Sequence, residues 1–474
     1  MNRRSFCRAL AGACAAAPMA GAGQGVPPEG QADYTLRIAP MELEIAPRHK
    51  VKTTAYNGTV PGPVMRMREG RAVTIDVYND TGIPEIAHWH GLFTPPEADG
   101  SMEEGTPMVP PHGHQRYQFV PRPAGTRWYH SHISAGRDLH RATYTGQFGF
   151  LLVESGGDSG RYDQEVLLAL HGWEPFLGPM NGGVEGDESS LEVGYSNFTV
   201  NSHSLGAGEP VRVKQGQRVL LRILNADATM FHTLALPGHR FTVIALDGNP
   251  VPSPRPVSVL QMGPAERIDA VVEMDHPGVW VLGDVDDRMR KTGMGVVVEY
   301  AGRSGEPQWA APPQETWDYT IFGRPDGATN PPPEPDARLP LVFRAKWAGN
   351  RWVDHWTING KEFPKTDPIW VETNRRYRLI FDNQSSDTHP IHLHRHSFEL
   401  VQVDGTATAG VLKDVVAVAP HKQVEVQLVA DHPGLTLFHC HMQLHMDYGF
   451  MALMKYRDHP ESSLDPAMGH RMVK

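Results

Sequence analysis

The segment TLFHCHMQLHMDYGF, Thr436 to Phe450, sets a cysteine between two histidines, with a third histidine five residues beyond the cysteine. Among the other His-X-His pairs, three stand out: His88 and His90 in HWH, His130 and His132 in HSH, His392 and His394 in HLH. Residues two apart on a strand share a face. Each pair therefore presents two imidazoles in one direction, and His439 and His441 do so while Cys440 points the other way. The thiol needs partners on its own side, and His389 and His445 are available. A thiolate with two imidazoles and a weak or absent axial group is the blue-copper arrangement, with zinc the main competitor. Zinc would want a fourth strong ligand in a closed site. Eight imidazoles with no carboxylate among them exceed what one zinc or iron needs. Divided three, three and two, they suit three copper ions with room for oxygen species.

A unit that the chain repeats three times must position these groups. YNGTVPGPVMRMREGRAVTIDVYND, from Tyr56, is followed by VNSHSLGAGEPVRVKQGQRVLLRILNA, from Val200, and INGKEFPKTDPIWVETNRRYRLIFDNQ, from Ile358. Each copy has an Asn-Gly or Asn-Ser turn, a Pro-containing edge and a strand alternating apolar with polar residues. Period-two alternation with regularly spaced turns is the pattern of a β-sandwich. The expected organisation is all-β: three sandwiches in series at roughly 32–158, 160–303 and 338–460, with the Pro-rich 304–337 linking the last two.

The histidines keep register with the repeat. His88 lies nine residues after Asn79, and His392 nine after Asn383; in the middle copy that offset from Asn225 falls on Leu234. His130 and His132 lie five and seven residues after Gly125, as His439 and His441 do after Gly434; the middle copy has Gly283 and Val285 there, counted from Gly278. Two pseudo-symmetric outer units sharing one site would look like this.

A chain of 474 residues holds several domains. Its net charge of −10 is spread along the chain with no basic stripe, which speaks against nucleic acid as a partner. No apolar run approaches the ~20 residues of a membrane span. The start, MNRRSFCRALAGACAAAPMAGAGQG, looks like a twin-arginine export signal over residues 1–22 and points to a periplasmic or secreted protein. Removing it takes away Cys7 and Cys14, leaving Cys440 as the only cysteine. A lone exported thiol is exposed to oxidation unless something such as a metal covers it.

HWHG, HSH, HPIHLH and HCHMQLHMDYGF resemble the four copper signatures of the multicopper oxidases, of the three-domain laccase type, in the family order and across essentially the whole mature chain. The resemblance implies three cupredoxin-like Greek-key domains and four copper ions. His389, Cys440 and His445 would hold the type 1 copper; His88 and His392 the type 2 copper. His90, His130 and His441 would hold one type 3 copper, and His132, His394 and His439 the other. It further implies that dioxygen is reduced to water with electrons entering at the edge of His445 or His389, that Asp99 is the buried acid assisting proton supply, and that Phe450 occupies the axial position without coordinating. The family's second acid is missing: its two usual places are Gln443 and Met446, and Asp447 is adjacent but offset as on a strand.

The implied donor is a small phenol or aromatic amine. Alternatives are a metallo-oxidase for Cu(I), Fe(II) or Mn(II) and, remotely, a copper-free structural protein of the same fold; a nitrite reductase has no use for a full type 3 pair. A monomer is expected, because three-domain members complete the cluster within one chain. Met442, Met446, Met451 and Met454 read as core filler rather than a docking patch. His112, His171, His232, His396 and His421 read as surface or packing residues.

Overall fold

The computed structural model describes residues 30–156, 162–179, 191–327, 329–346 and 353–459; the proposed leader lies outside them. The alternating segments form six sheets, two in each third of the chain. In each third an opening strand runs parallel to the repeated one: Tyr34–Ala46 on Val73–Asn79, Gln164–Pro179 on Arg218–Asn225, and Ala337–Lys346 on Arg376–Asn383. Alternation explains the burial. Val73, Ile75 and Val77 point inward onto Leu36, Ile38 and Trp89, while Thr74 and Tyr78 are half-buried. Each pair of sheets closes over such a core, giving three cupredoxin-like β-sandwiches.

The second sheet of each sandwich is where the outer units carry their histidines. In the first, Ala87–His90 lies beside Gly125–Ser131. In the third, His389–Leu393 lies between Thr436–Cys440 and Val415–Val418. In the middle, His232–Ala235 lies between Val279–Asp284 and Leu260–Met262.

Two asparagines per repeat anchor the unit. Asn57, Asn201 and Asn359 each adopt a left-handed backbone, with φ of 53, 50 and 52°, a conformation that asparagine tolerates better than most residues. Their side-chain amides donate to Thr35, Leu167 and Pro340 carbonyls on the opening strands. Asn79, Asn225 and Asn383 end the repeated strand with no exposure at all. Each donates to carbonyls of the following loop and accepts from an amide two residues on. That loop leads into the strand bearing the histidines, so its geometry sets where the imidazoles emerge.

One expectation fails usefully. The residues after HCH do not continue as a strand: Gln443–Asp447 is a short helix, closed by Gly449 at φ 110°. Gln, Leu and Met are good helix formers, and residues four apart share a helical face. Asp447 therefore lies on the same side as Gln443, which donates to it at 3.1 Å, and is not turned away as a strand would require. Within 304–336 the described residues include one turn of 3-10 helix, Tyr319–Phe322, whose Phe322 is fully buried.

Candidate metal centres

The four His-X-His pairs converge on one buried place. None of the eight side chains is more than 7 % exposed. Potential ligand atoms of His90, His130 and His441 lie within 4.8 Å of one another, as do those of His132, His394 and His439, and those of His88, His90 and His392. Cross-strand pairing explains the convergence: His88 faces His130 in the first sandwich and His392 faces His439 in the third. The first and third sandwiches bring these faces together, with His90 stacked on His392 at 3.9 Å and His88 on His394 at 4.0 Å.

Backbone carbonyls decide which nitrogen faces inward. Nδ1 donates to the carbonyl of Asp99 from His88, of Ser131 from His130, of Asp414 from His392 and of Cys440 from His439. That fixes the tautomer and leaves Nε2 as a lone pair turned into the cluster. Nε2 of His88, His130, His132, His392 and His441 has no hydrogen-bond partner. His90 is reversed: its Nε2 lies 3.1 Å from Asp414 Oδ1 and its Nδ1 is the unpartnered atom. Burial, with neighbouring imidazoles adding to it, holds His90, His130, His132, His392 and His439 well below the ordinary histidine range. Buried, neutral and unpartnered imidazole nitrogens are costly unless something accepts their lone pairs. Metal ions would do so.

On the other side of the strand Cys440 Sγ lies 3.7 Å from His389 Nδ1 and 3.5 Å from His445 Nδ1, and these two nitrogens are 3.1 Å apart. Ligands of a common ion at about 2.3 Å for sulfur and 2.0–2.1 Å for nitrogen stand about 3.3–3.6 Å apart in tetrahedral geometry. The triad fits one ion of that size. Phe450 is fully buried in the same apolar cluster as Cys440 and lies 4.8 Å from the His389 ring, whereas Met451 belongs to a separate cluster with Leu437 and Leu453. The apolar Phe450 is thus on the thiol's side and offers no ligand.

Asp99 is fully buried against the cluster, its Oδ2 2.8 Å from His394 Nδ1 and 3.1 Å from His88 Nδ1. Burial alone would raise its carboxyl, but the two imidazoles more than offset this and hold it well below the usual range. Sequence reasoning missed its partner. Glu104 is also buried, one oxygen accepting from the Leu437 amide and the other 3.6 Å from His394 Nδ1. Burial, with Asp99 adding to it, pushes Glu104 well above the carboxylate range. Gln443 lines a small cavity with His130, His132, His439 and His441. Asp447 stands behind Gln443, its carboxyl pushed by burial to about 6.

Glu192 was also missed, since it comes from the middle sandwich. Its Oε1 stands 3.5 Å from His445 Nε2, near enough for charge attraction though not hydrogen-bonded. Burial alone would lower His445, but Cys440 and Glu192 more than offset this and raise it to about 10. Trp356 stacks on the His445 ring at 3.9 Å. Among the other histidines, His171, His232 and His396 are buried packing residues, and His112 and His421 are exposed.

Multicopper oxidase family models match residues 37–158, 183–298 and 334–460, which together span most of the chain. The chain belongs to the multicopper oxidase family. It is 31% identical to the multicopper oxidase MmcO of Mycobacterium tuberculosis over 437 residues, covering 86% of this chain and 83% of that one. A crystal structure of a multi-copper oxidase from Pseudomonas thermotolerans superposes with a TM-score of 0.68 at 28% identity, over 90% of this chain and 100% of that one. A laccase from Botrytis aclada shares the fold, with a TM-score of 0.72 at 21% identity over 91% and 88% of the two chains. Members of the family are copper-dependent oxidoreductases that use dioxygen and a reductant. Among the described residues, no helix is long and apolar enough to cross a membrane.

Proposed function

We propose that this multicopper oxidase is laccase-like, oxidising small phenols or aromatic amines one electron at a time and passing four electrons to dioxygen. The supporting observation is the placement of Cys440: its side chain reaches His389 and His445, while its sequence neighbours His439 and His441 belong to the eight-histidine cluster. His389, Cys440 and His445 would hold the type 1 copper and His88 with His392 the type 2. His90, His130 and His441 would hold one type 3 copper, and His132, His394 and His439 the other. Bound copper supplies one-electron acceptance at the Cys440 centre and reduction of dioxygen to two waters at the cluster.

The chain's own groups do the rest. Cys440 joins the two centres covalently through its flanking peptide bonds. Glu192, beside His445 Nε2, accepts a hydrogen bond from the O–H or N–H of a donor and takes its proton as the electron leaves. Trp356 covers one face of His445. Asp99 and Glu104 keep a proton beside the cluster for the four that dioxygen reduction consumes. The leader at residues 1–22 supports a periplasmic or secreted location, and the donor meets the chain as a monomer.

One observation favours a metallo-oxidase as the second reading. Asp387 is close enough to His445, Glu192 and Asp354 to interact electrostatically with each, and carboxylates at an electron-entry edge suit Fe(II) or Mn(II). Oxygen uptake by the copper-loaded protein with a methoxyphenol, Fe(II), Cu(I) and Mn(II) in parallel distinguishes the two. Uptake with the phenol is expected; uptake with a metal ion alone transfers the assignment, and a colourless protein without uptake sinks both.

A further inference from the structure

The middle sandwich supplies no imidazole, yet it reaches the cluster through buried charge. Arg267, which opens its strand Arg267–Glu273, is fully buried. Its Nη1 donates to Asp414 Oδ1 at 2.7 Å and its Nη2 to Asp414 Oδ2 at 2.6 Å. Asp414 belongs to the third sandwich and is itself fully buried. Its Oδ1 lies 3.1 Å from His90 Nε2, and its backbone carbonyl accepts from His392 Nδ1 at 2.7 Å. Asp414 therefore orients one imidazole from each outer sandwich. Asp247, also of the middle sandwich, accepts from the Asp414 and Val415 amides at 3.3 and 3.1 Å. Side chain and backbone of Asp414 are both gripped from the sandwich that carries no ligand.

A two-point guanidinium–carboxylate pair fixes the plane of the carboxylate as well as its position. That plane aims Oδ1 at His90, the imidazole that turns Nδ1 inward while its neighbours turn Nε2. We propose that Arg267 is a positioning residue for the eight-histidine cluster, holding Asp414 so that His90 presents Nδ1. The proposal rests on the copper reading of that cluster. A competing account makes Arg267 a simple joint between sandwiches. Arg222 provides the comparison: it donates to Asp269 at 2.6 Å and to Thr126 of the first sandwich at 2.9 Å, but its hydrogen bonds reach no histidine.

The test uses full-length Arg267→Gln, Arg267→Lys and Arg222→Gln, copper-loaded and taken as the folded fraction. Copper per chain, blue absorbance, the near-ultraviolet band of the coupled copper pair and the electron paramagnetic resonance of the cluster are measured. Arg267→Gln is expected to keep its blue absorbance while its cluster binds copper about 10–100-fold more weakly, the usual range for a lost partner of a ligand. Arg267→Lys, which keeps the charge and loses the fork, should fall between it and the parent; Arg222→Gln should keep the parent's spectra. Cluster copper and spectra equal to the parent's in Arg267→Gln overturn the proposal, as does an equal loss in Arg222→Gln. Should Arg267→Gln fail to fold, parental spectra in Arg267→Lys overturn it instead. A parent without blue absorbance removes the copper reading beneath it.

Discussion

The outer sandwiches and the middle one use the same backbone for opposite electrostatics. Beside the repeated turn, the outer ladders pair His88 with His130 and His392 with His439. The middle ladder pairs Leu234 with Asp284 and Ala235 with Gly283. The middle unit keeps one imidazole nearby, His232, whose Nδ1 lies 3.1 Å from Asp284 and whose Nε2 lies 3.9 Å from Asp227. Burial alone would lower His232, but the two carboxylates more than offset it and raise it to about 9. Imidazoles packed against one another, such as His130, His132 and His392, are held low and leave nitrogens free for a metal, whereas His232, packed between carboxylates, is raised and pairs with them in the core. Neighbours, not the fold, decide between a metal centre and an ion pair.

The largest effect that could break this contrast is at the thiol. Cys440→Ser should abolish the blue absorbance and cut oxygen uptake by more than about 100-fold, beyond the losses seen when only a ligand's partner is removed. A variant that stays blue would place the metal elsewhere. Next, Asp99→Asn should slow reoxidation of the reduced enzyme by dioxygen about 100-fold, the scale of general acid catalysis, and leave reduction of the blue centre unchanged. Stopped-flow traces indistinguishable from the parent would remove Asp99 from the proton supply.

Smaller effects sharpen the middle sandwich's part. Glu192→Gln should lower kcat/KM for a methoxyphenol about 10-fold, as loss of a charged hydrogen bond does, with dioxygen reoxidation unaffected. A drop in both half-reactions would instead indicate general damage. The smallest change concerns stability. His232 has a folded value of about 9 against an ordinary 6.5, so its contribution is complete below about pH 6.5 and is lost as pH rises through about 9. The gap in heat-unfolding midpoint between parent and His232→Gln should therefore narrow across that window. A gap that stays constant would mean His232 does not titrate there.

Much of this was readable in order along the chain because it is local. The Asn-Gly and Asn-Ser turns, the strand ending in Asn79, Asn225 or Asn383, and the His-X-His pairs are short-range patterns whose geometry follows from strand pleating. The pleat also separates Cys440 from its neighbours without any knowledge of the third dimension. What escaped was of two kinds. Gln443–Asp447 is a helix of five residues, too short for a hydrophobic period to declare itself, so Asp447 was placed on the wrong side. Glu104, Glu192, Arg267 and Asp414 act across sandwich boundaries. An acid in a loop reads as solvated surface until a strand more than 300 residues distant, here the one that begins near Leu437, lands on it.

The switch from strand to helix between His441 and Gln443 leaves this segment no slack. Pleating has a period of two, so inserting or deleting one residue ahead of Cys440 would turn sulfur toward the imidazole nest and an imidazole toward His389. Point changes here can be graded, but a one-residue shift of register within the strand exchanges the occupants of two centres at once. Length variation among relatives should therefore gather in the loops on either side and spare the six residues from His439 to Leu444.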